Sequence, residues 1–293
     1  MEYFENFWQI YSNLVLTLGI NALLALSIYI TLSCGMLSLA NAAFMGIGAY
    51  TASILTMTHE APFALALAGG IAAPMFVAFF LGKAVMRLSG VYLAMATLAF
   101  GEVVRIFILN LEDYTGGALG LNGIPNSTEW WHVLLALVVV IAMLACMRRS
   151  KVGRALEAIK EDETAAGLMG IDTNANKMMA FIIGAGIAGL AGALSAHLTF
   201  FIGPNEYGFD RAVEILTMAI LGGVNSLIGP VVGSLFLTLL PEVLRGLKDF
   251  RLVVNGMLLI VIILFLPRGL WDPARFKRMF GGTKHAEVKG DAK

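Results

Sequence analysis

Charge is what this sequence is short of. Only 14% of its 293 residues are Asp, Glu, Lys or Arg, while 58% are hydrophobic; a soluble domain carries about a quarter charged residues. So little charge excludes a chain that meets water on every side. Lys and Arg together number 20, as do Asp and Glu, and with no net basic field there is no ground for a nucleic-acid partner. Cysteine is scarcer still. Cys34 and Cys146 lie in or beside apolar runs, where a lone thiol acts as a small hydrophobe, which argues against a disulfide or a metal role. The histidines His59, His132, His197 and His285 are scattered, with no H-E-x-x-H and no clustered carboxylates, so neither a metal site nor a catalytic constellation is expected. A phosphate-binding loop is missing too: Lys83 follows Gly82, but Ala84 stands where Ser or Thr is required, and the glycine spacing is wrong. The chain is expected to be no enzyme and to hold no cofactor of its own. Near the N-terminus, Glu2 and Glu5 stand where a signal peptide has Lys or Arg, and no small-x-small cleavage site follows. The first apolar run is therefore expected to be a retained span.

What is abundant is apolar runs near ~20 residues long, enough to cross ~30 Å of hydrocarbon. They cover residues 11–33, a glycine-interrupted 36–57, 62–81, 90–109, 131–147 and 178–200. Residues 212–241 are apolar but broken at Gly222-Gly223 and Gly229-Pro230, and a last run covers 252–266. The expected fold is all-α, a polytopic transmembrane bundle of about eight or nine spans. Residues 1–267 form one transmembrane domain and 268–293 a basic tail. Lys and Arg in short loops set the orientation. Arg148, Arg149, Lys151, Arg154 and Lys160 place residues 148–176 in the cytoplasm, as Lys83 and Arg87 place their turn. Residues 111–130 have no basic residue and carry Glu112, Asp113 and Glu129, so they face outward. With the tail basic as well, residues 212–241 are read as a hairpin of two short segments, which returns the C-terminus to the cytoplasm at the cost of leaving Arg245, Lys248 and Arg251 outside.

Glycine numbers 32. Gly229 and Gly233 make a G-x-x-x-G pair; Ala185, Gly189 and Ala193 share one helical face, and Ala188, Gly192 and Ala196 another. Small residues at this spacing let helix backbones approach in lipid, either within one subunit or against a second. The loop 148–176 is longer than a turn needs. Val152, Leu156 and Ile159 make a helical stripe, and Arg154, Glu157 and Lys160 are spaced for pairing. Gly170 stops the pattern, and Asp172 or Thr173 caps the next helix. Periodicity alone leaves two readings open: a helix that docks on a soluble partner, or one resting on lipid headgroups.

The stretch from Ser150 to Ile171, SKVGRALEAIKEDETAAGLMGI, resembles the cytoplasmic loop of the permeases of branched-chain amino-acid ABC importers. Three further blocks agree in order. LSLANAAFMGIGAY, beginning at Leu37, is similar to the family's second-span signature. GVYLAMATLAFGE from Gly90, followed by TGG at Thr115 and GLNGIP at Gly120, resembles the M-type of its two subunits. LGGVNSLIGPVVG from Leu221 resembles its late glycine-rich hairpin. The chain departs from the pattern at Ala40-Asn41, where Gly-His is usual, and at Leu119, where Asn is usual. The resemblance implies a second, H-type permease subunit, two cytoplasmic ATPases that bind ATP and Mg, and a periplasmic solute-binding protein, all at a bacterial inner membrane. It also implies that Gly153, Arg154, Glu157, Asp162, Ala165, Ala166 and Gly170 form the surface that couples to the ATPase, with 148–176 as a coupling loop. The solute would be a branched-chain amino acid or a related small polar molecule.

Ionisable groups inside a bilayer are expensive, so each is a functional candidate. Glu102 and Arg105 lie three residues apart in the fourth span, placed either to neutralise each other or to set Glu102 beside a solute route. Asn41, Tyr92 and Thr97 offer hydrogen bonds to a polar solute without a fixed charge. The competing function class, an ion-coupled secondary transporter or channel, would use Glu102 or His197 and would leave the ordered loop without a purpose.

Overall fold

The computed structural model describes residues 2–243, with side chains for 12–242; the expected span at 252–266, the tail 268–293 and Arg245, Lys248 and Arg251 lie outside the described residues. Helices α1 (Glu2–Leu32), α2 (Asn41–Thr58), α3 (Phe63–Val85) and α4 (Gly90–Asn110) are followed by a single turn, α5 (Glu112–Thr115). Then come α6 (Trp130–Arg149), two short helices α7 (Lys151–Glu161) and α8 (Glu163–Leu168), the long α9 (Thr173–Thr199), and the pair α10 (Phe209–Gly222) and α11 (Ile228–Val243). Among the described residues the strand structure is one antiparallel pair, β1 (Leu121–Asn122) on β2 (Phe201–Ile202). Five helices among the described residues are long and apolar enough to cross a membrane: α1 over Ser12–Leu32, α3, α4, α6 and α9. The protein is an all-α, multi-pass membrane protein.

Helix α9 is the central post, packed against α1, α2 and α3. Both small-residue faces read from the sequence are consumed inside this one chain. Ala185, Ala188, Ala193 and Ala196 are buried, a methyl added at Gly192 would collide with the Met45 carbonyl, and one added at Gly48 would collide with the backbone of Gly189. Helices α3, α4 and α6 instead turn apolar side chains such as Phe76, Phe107 and Leu135 outward, surface that suits lipid or a second membrane subunit.

The glycine-broken hairpin forms, with its break between the two pairs. Helix α10 stops at Gly223 (φ +101°), while Gly229-Pro230 falls in the first turn of α11, where proline costs little. The Asn225 carbonyl accepts from Arg148 Nη2 (2.9 Å) and its side-chain oxygen from Lys160 Nζ (3.2 Å), so the tip sits at the basic end of the bundle. Fourteen and sixteen residues rise about 21 and 24 Å, so each arm traverses most of the hydrocarbon.

The second span departs from expectation at its start. Residues 36–40 are not helical; α2 begins only at Asn41. Non-helical backbone at this depth needs partners from the protein itself. Thr97 supplies one: the Leu39 N–H donates to its hydroxyl oxygen at 3.0 Å, while the hydroxyl lies 2.8 Å from the Leu93 carbonyl, its acceptor. Thr97→Val keeps the shape and removes that acceptor, so the purified protein in detergent should lose about 1–3 kcal/mol, the cost of a buried unpaired N–H. Thr97→Ser should recover most of the loss in the same thermal melts.

Candidate functional site

At the basic end the loop between α6 and α9 is ordered. Ser150 caps α7, its hydroxyl accepting from the N–H groups of Val152 (3.2 Å) and Gly153 (3.5 Å). Gly153 lets the chain double back: a methyl there would collide with the Arg148 carbonyl. Leu156 and Ile159 are buried in the bundle of this same chain, so the stripe seen in the sequence anchors the helix inward. Arg154 and Glu157 are exposed.

Two details of the loop differ from the sequence reading. It is two helices, because Asp162 is extended (φ −156°) and its carboxylate accepts from Thr164 N (2.8 Å) and Ala165 N (2.9 Å), capping α8. Gly170 (φ +84°) then ends α8 rather than α7, and Asp172 caps α9 through the Ala175 N–H. The expected pairing among Arg154, Glu157 and Lys160 does not form. Arg154 Nη1 donates to the Arg149 carbonyl (3.3 Å) and Lys160 to Asn225, as exposed ion pairs at this spacing are worth too little to compete. Ala166 is buried, whereas Ala165 is exposed and Leu168 and Met169 are 85% and 84% exposed. A cavity of about 160 Å³ lies behind α7, lined by Tyr29, Ser33, Arg148, Glu157, Lys160 and Asn225 among others.

The second region is a polar seam in the half of the bundle away from its basic end. Arg105 Nε donates to Glu102 at 2.8 Å and its Nη1 to the Asn205 side chain at 3.1 Å. Asn205 belongs to an inward-folded segment, residues 200–208. Its Tyr207 is buried against Gly46, with its ring 6.0 Å from that of Tyr50. Burial raises the Tyr207 phenol well above its ordinary pKa, with Glu206 adding to the effect, so the group stays neutral. A narrow slot lined by Leu39, Ala42, Gly101, Glu102, Tyr207 and Ala212 joins the non-helical start of the second span to this segment.

The candidate residues are not brought into one cavity. Asn41 is buried and donates to the Ser27 hydroxyl (2.8 Å), Thr97 is wholly buried, and Tyr92 is 74% exposed on the outer face of α4. His197 is buried with both ring nitrogens engaged, at 2.8 Å from the Ala193 carbonyl and 3.2 Å from Thr56 Oγ1. Cys34 donates weakly to the Thr31 carbonyl (3.1 Å), and burial pushes its thiol up to about 11.

The sequence reading passed over a second network. Arg211 donates to Glu214 (2.6 Å) and to Asn21 (2.8 Å), and Asn21 donates to Thr238 (2.9 Å), tying α10, α1 and α11 together. An Asn in the middle of the first span was the available signal. Lys177, one residue before the apolar run at 178, was missed as well; it is buried and paired with Glu163.

Residues 10–266 match the family model described as the permease component of the branched-chain amino acid transport system. The chain is 31% identical over 298 aligned positions to the high-affinity branched-chain amino acid transport system permease protein LivM of Escherichia coli, covering 89% of this chain and 68% of that one. It is 33% identical over 144 residues to LivH of the same transport system in Escherichia coli, covering 47% and 46% of the two chains. It is 29% identical over 159 residues to the autoinducer 2 import system permease protein LsrC of Salmonella paratyphi B, covering 50% and 42%. No solved structure matches.

Proposed function

Since this chain belongs to the branched-chain amino acid transport permease family and is a transport subunit rather than an enzyme, we propose that it forms one half of a membrane gate opened by ATP hydrolysis on separate chains. The other half is a related, H-type permease. Two ATPases, holding ATP and Mg, sit at the basic end, and a solute-binding protein delivers cargo at the acidic end. That assigns the basic end to the cytoplasm, the C-terminal tail with it, and the chain to a bacterial inner membrane. The cargo is a branched-chain amino acid or a similar small polar solute; the breadth of names among the relatives, from amino acids to autoinducer 2, is why the class is drawn this wide.

The observation that carries this reading is the orientation of the loop. A helix resting on headgroups would turn its apolar stripe to the lipid. Here Leu156 and Ile159 are spent inside the chain, and what faces away is charge, with Leu168 and Met169 beside it. A charged face with an apolar tip suits a groove on a soluble partner. Arg154 and Glu157 supply the charge, Gly153, Asp162 and Gly170 the corners, and Ala165 and Ala166 the short helix that presents the tip. Asn41, Tyr92, Thr97 and Glu102 are assigned to the solute route, with Thr97 and Asn41 acting through the shape of the non-helical segment.

Arg154→Glu combined with Glu157→Lys should abolish co-purification of an ATPase from native membranes and, with it, ATP-dependent uptake. The chain itself should still fold, because both side chains are exposed. If the unaltered protein brings down no ATPase and still moves solute along an ion gradient, the importer reading is wrong.

A further inference from the structure

Among the described residues, Lys177 is the one Lys, Arg, Asp or Glu side chain that is fully buried. Its position serves its own helix poorly. It lies in the second turn of α9, which Asp172 caps, where a cation gains nothing from the helix dipole. A buried ammonium also needs a counter-charge. Lys177 finds it across the loop, in Glu163 at the first position of α8.

The surroundings give the pair a mechanical setting. The α7–α8 junction at Asp162 separates Glu163 from Lys160, and the backbone of Lys160 lies against Gly35, where an added methyl would stand 3.6 Å from Lys160 Cα. Cys34, next to Gly35, lies within electrostatic reach of both Lys177 and Glu163. Gly35 belongs to the segment joining α1 to α2, which runs on to Leu39, held by Thr97, and to Asn41, held by Ser27. The junction of the loop is thus fixed on one side to the central post α9 and on the other to the non-helical stretch that borders the slot at Leu39. Leu156 and Ile159 of α7 also pack into the bundle, and polar contacts from Arg148 and Lys160 to Asn225 lead to the tip of the α10–α11 hairpin.

We infer that the Glu163–Lys177 pair is the strut through which a displacement of the α7–α8 loop is passed to α9 and to the segment 33–40. This rests on the ATP-driven reading above and names the positioning residues that reading requires inside the membrane subunit. Arg154 and Glu157 meet the partner; Lys177 is buried away from it, and Glu163, 46% exposed at the start of α8, borders the docking face while its carboxylate turns back to Lys177. Removing the strut from its buried end, Lys177, leaves the outward face of the loop as it was, so an ATPase still binds and still hydrolyses ATP, but its stroke is lost before it reaches the gate.

The test uses the complete importer in proteoliposomes, with ATP hydrolysis and solute uptake read from the same vesicles. Lys177→Met should keep the ATPase bound and hydrolysis near the unaltered level, while uptake per ATP falls about tenfold, within the range that coupling between sites usually spans. Glu163→Gln should lower uptake per ATP by a similar factor. The exchange Glu163→Lys with Lys177→Glu should restore the ratio, since it rebuilds the pair with its sense reversed. An unchanged ratio in both single variants overturns the inference. So does an assembled exchange variant that stays uncoupled, or a parallel loss of hydrolysis and uptake because the ATPase has dissociated. An unaltered complex that shows no ATP-dependent uptake is a different result, and it removes the importer reading itself.

Discussion

Gly192→Val should sharply lower the stability and yield of folded protein in the membrane. Helix α9 is wedged between α1, α2 and α3, and its contacts there are backbone against backbone. A methyl at Gly192 would collide with the Met45 carbonyl, and one at Gly184 would stand 2.8 Å from the Ser27 carbonyl. Overpacking a core usually costs ~1–3 kcal/mol because a neighbouring side chain can swing aside. A carbonyl within a helix cannot move without breaking its own hydrogen bond, so the cost here should reach ~3 kcal/mol or more, a large part of a total near ~5–15 kcal/mol. Valine adds a branch that must meet α2 on the same side. Size-exclusion profiles of the detergent-extracted protein and its resistance to protease read the result. Gly101→Ala is the control, since a methyl there first meets another atom at 4.0 Å, and it should leave both unchanged. A Gly192→Val protein that elutes and resists protease like the unaltered one would show that the post is looser than its packing implies.

The small faces of α9 were visible in the sequence because their period is that of a helix, and so were the apolar runs that became α1, α3, α4, α6 and α9. The hairpin was visible because Gly222-Gly223 breaks the apolar run, although Gly229-Pro230 lies inside the first turn of α11. What was hidden depends on partners far apart in the chain. Asn21 and Arg211 meet across 190 positions, and nothing at either position announces the other. The segment 200–208 falls between two apolar runs and contains glycine and proline, the marks of a loop, yet Tyr207 carries it into the bundle against Gly46. The split of the loop into α7 and α8 turns on one capping carboxylate, Asp162, a favoured N-cap residue that stands in a charged run with no glycine or proline to announce a break. Glu102 and Arg105, three apart on one helix, were legible as a pair; that Asn205 completes it was not.

Glu102→Gln is expected to lower uptake by more than about tenfold, a transition-state cost above ~1.4 kcal/mol, and the reason lies in where the pair sits. Glu102 is the thirteenth residue of α4, about 18 Å along the helix from its basic end, and so near the middle of a hydrocarbon layer of ~30 Å. Its side chain keeps 34% of its surface exposed and that of Arg105 29%, on a face beside the slot and the start of α10. A charged group half open to lipid at that depth costs ~2.5–3.5 kcal/mol, so the face is better matched to a wetted route or a second subunit. With glutamine at 102, Arg105 keeps Asn205 but loses its counter-charge. The protein should then lose ~1–3 kcal/mol, less than the ~3–5 kcal/mol of breaking a fully buried pair because solvent screens part of the interaction. The double change Glu102→Gln with Arg105→Gln separates the two roles, since it removes the stranded charge along with the pair. Its melting temperature should return toward that of the unaltered protein while uptake stays low. If uptake returns as well, the pair does no more than neutralise itself on α4, and the solute route runs elsewhere.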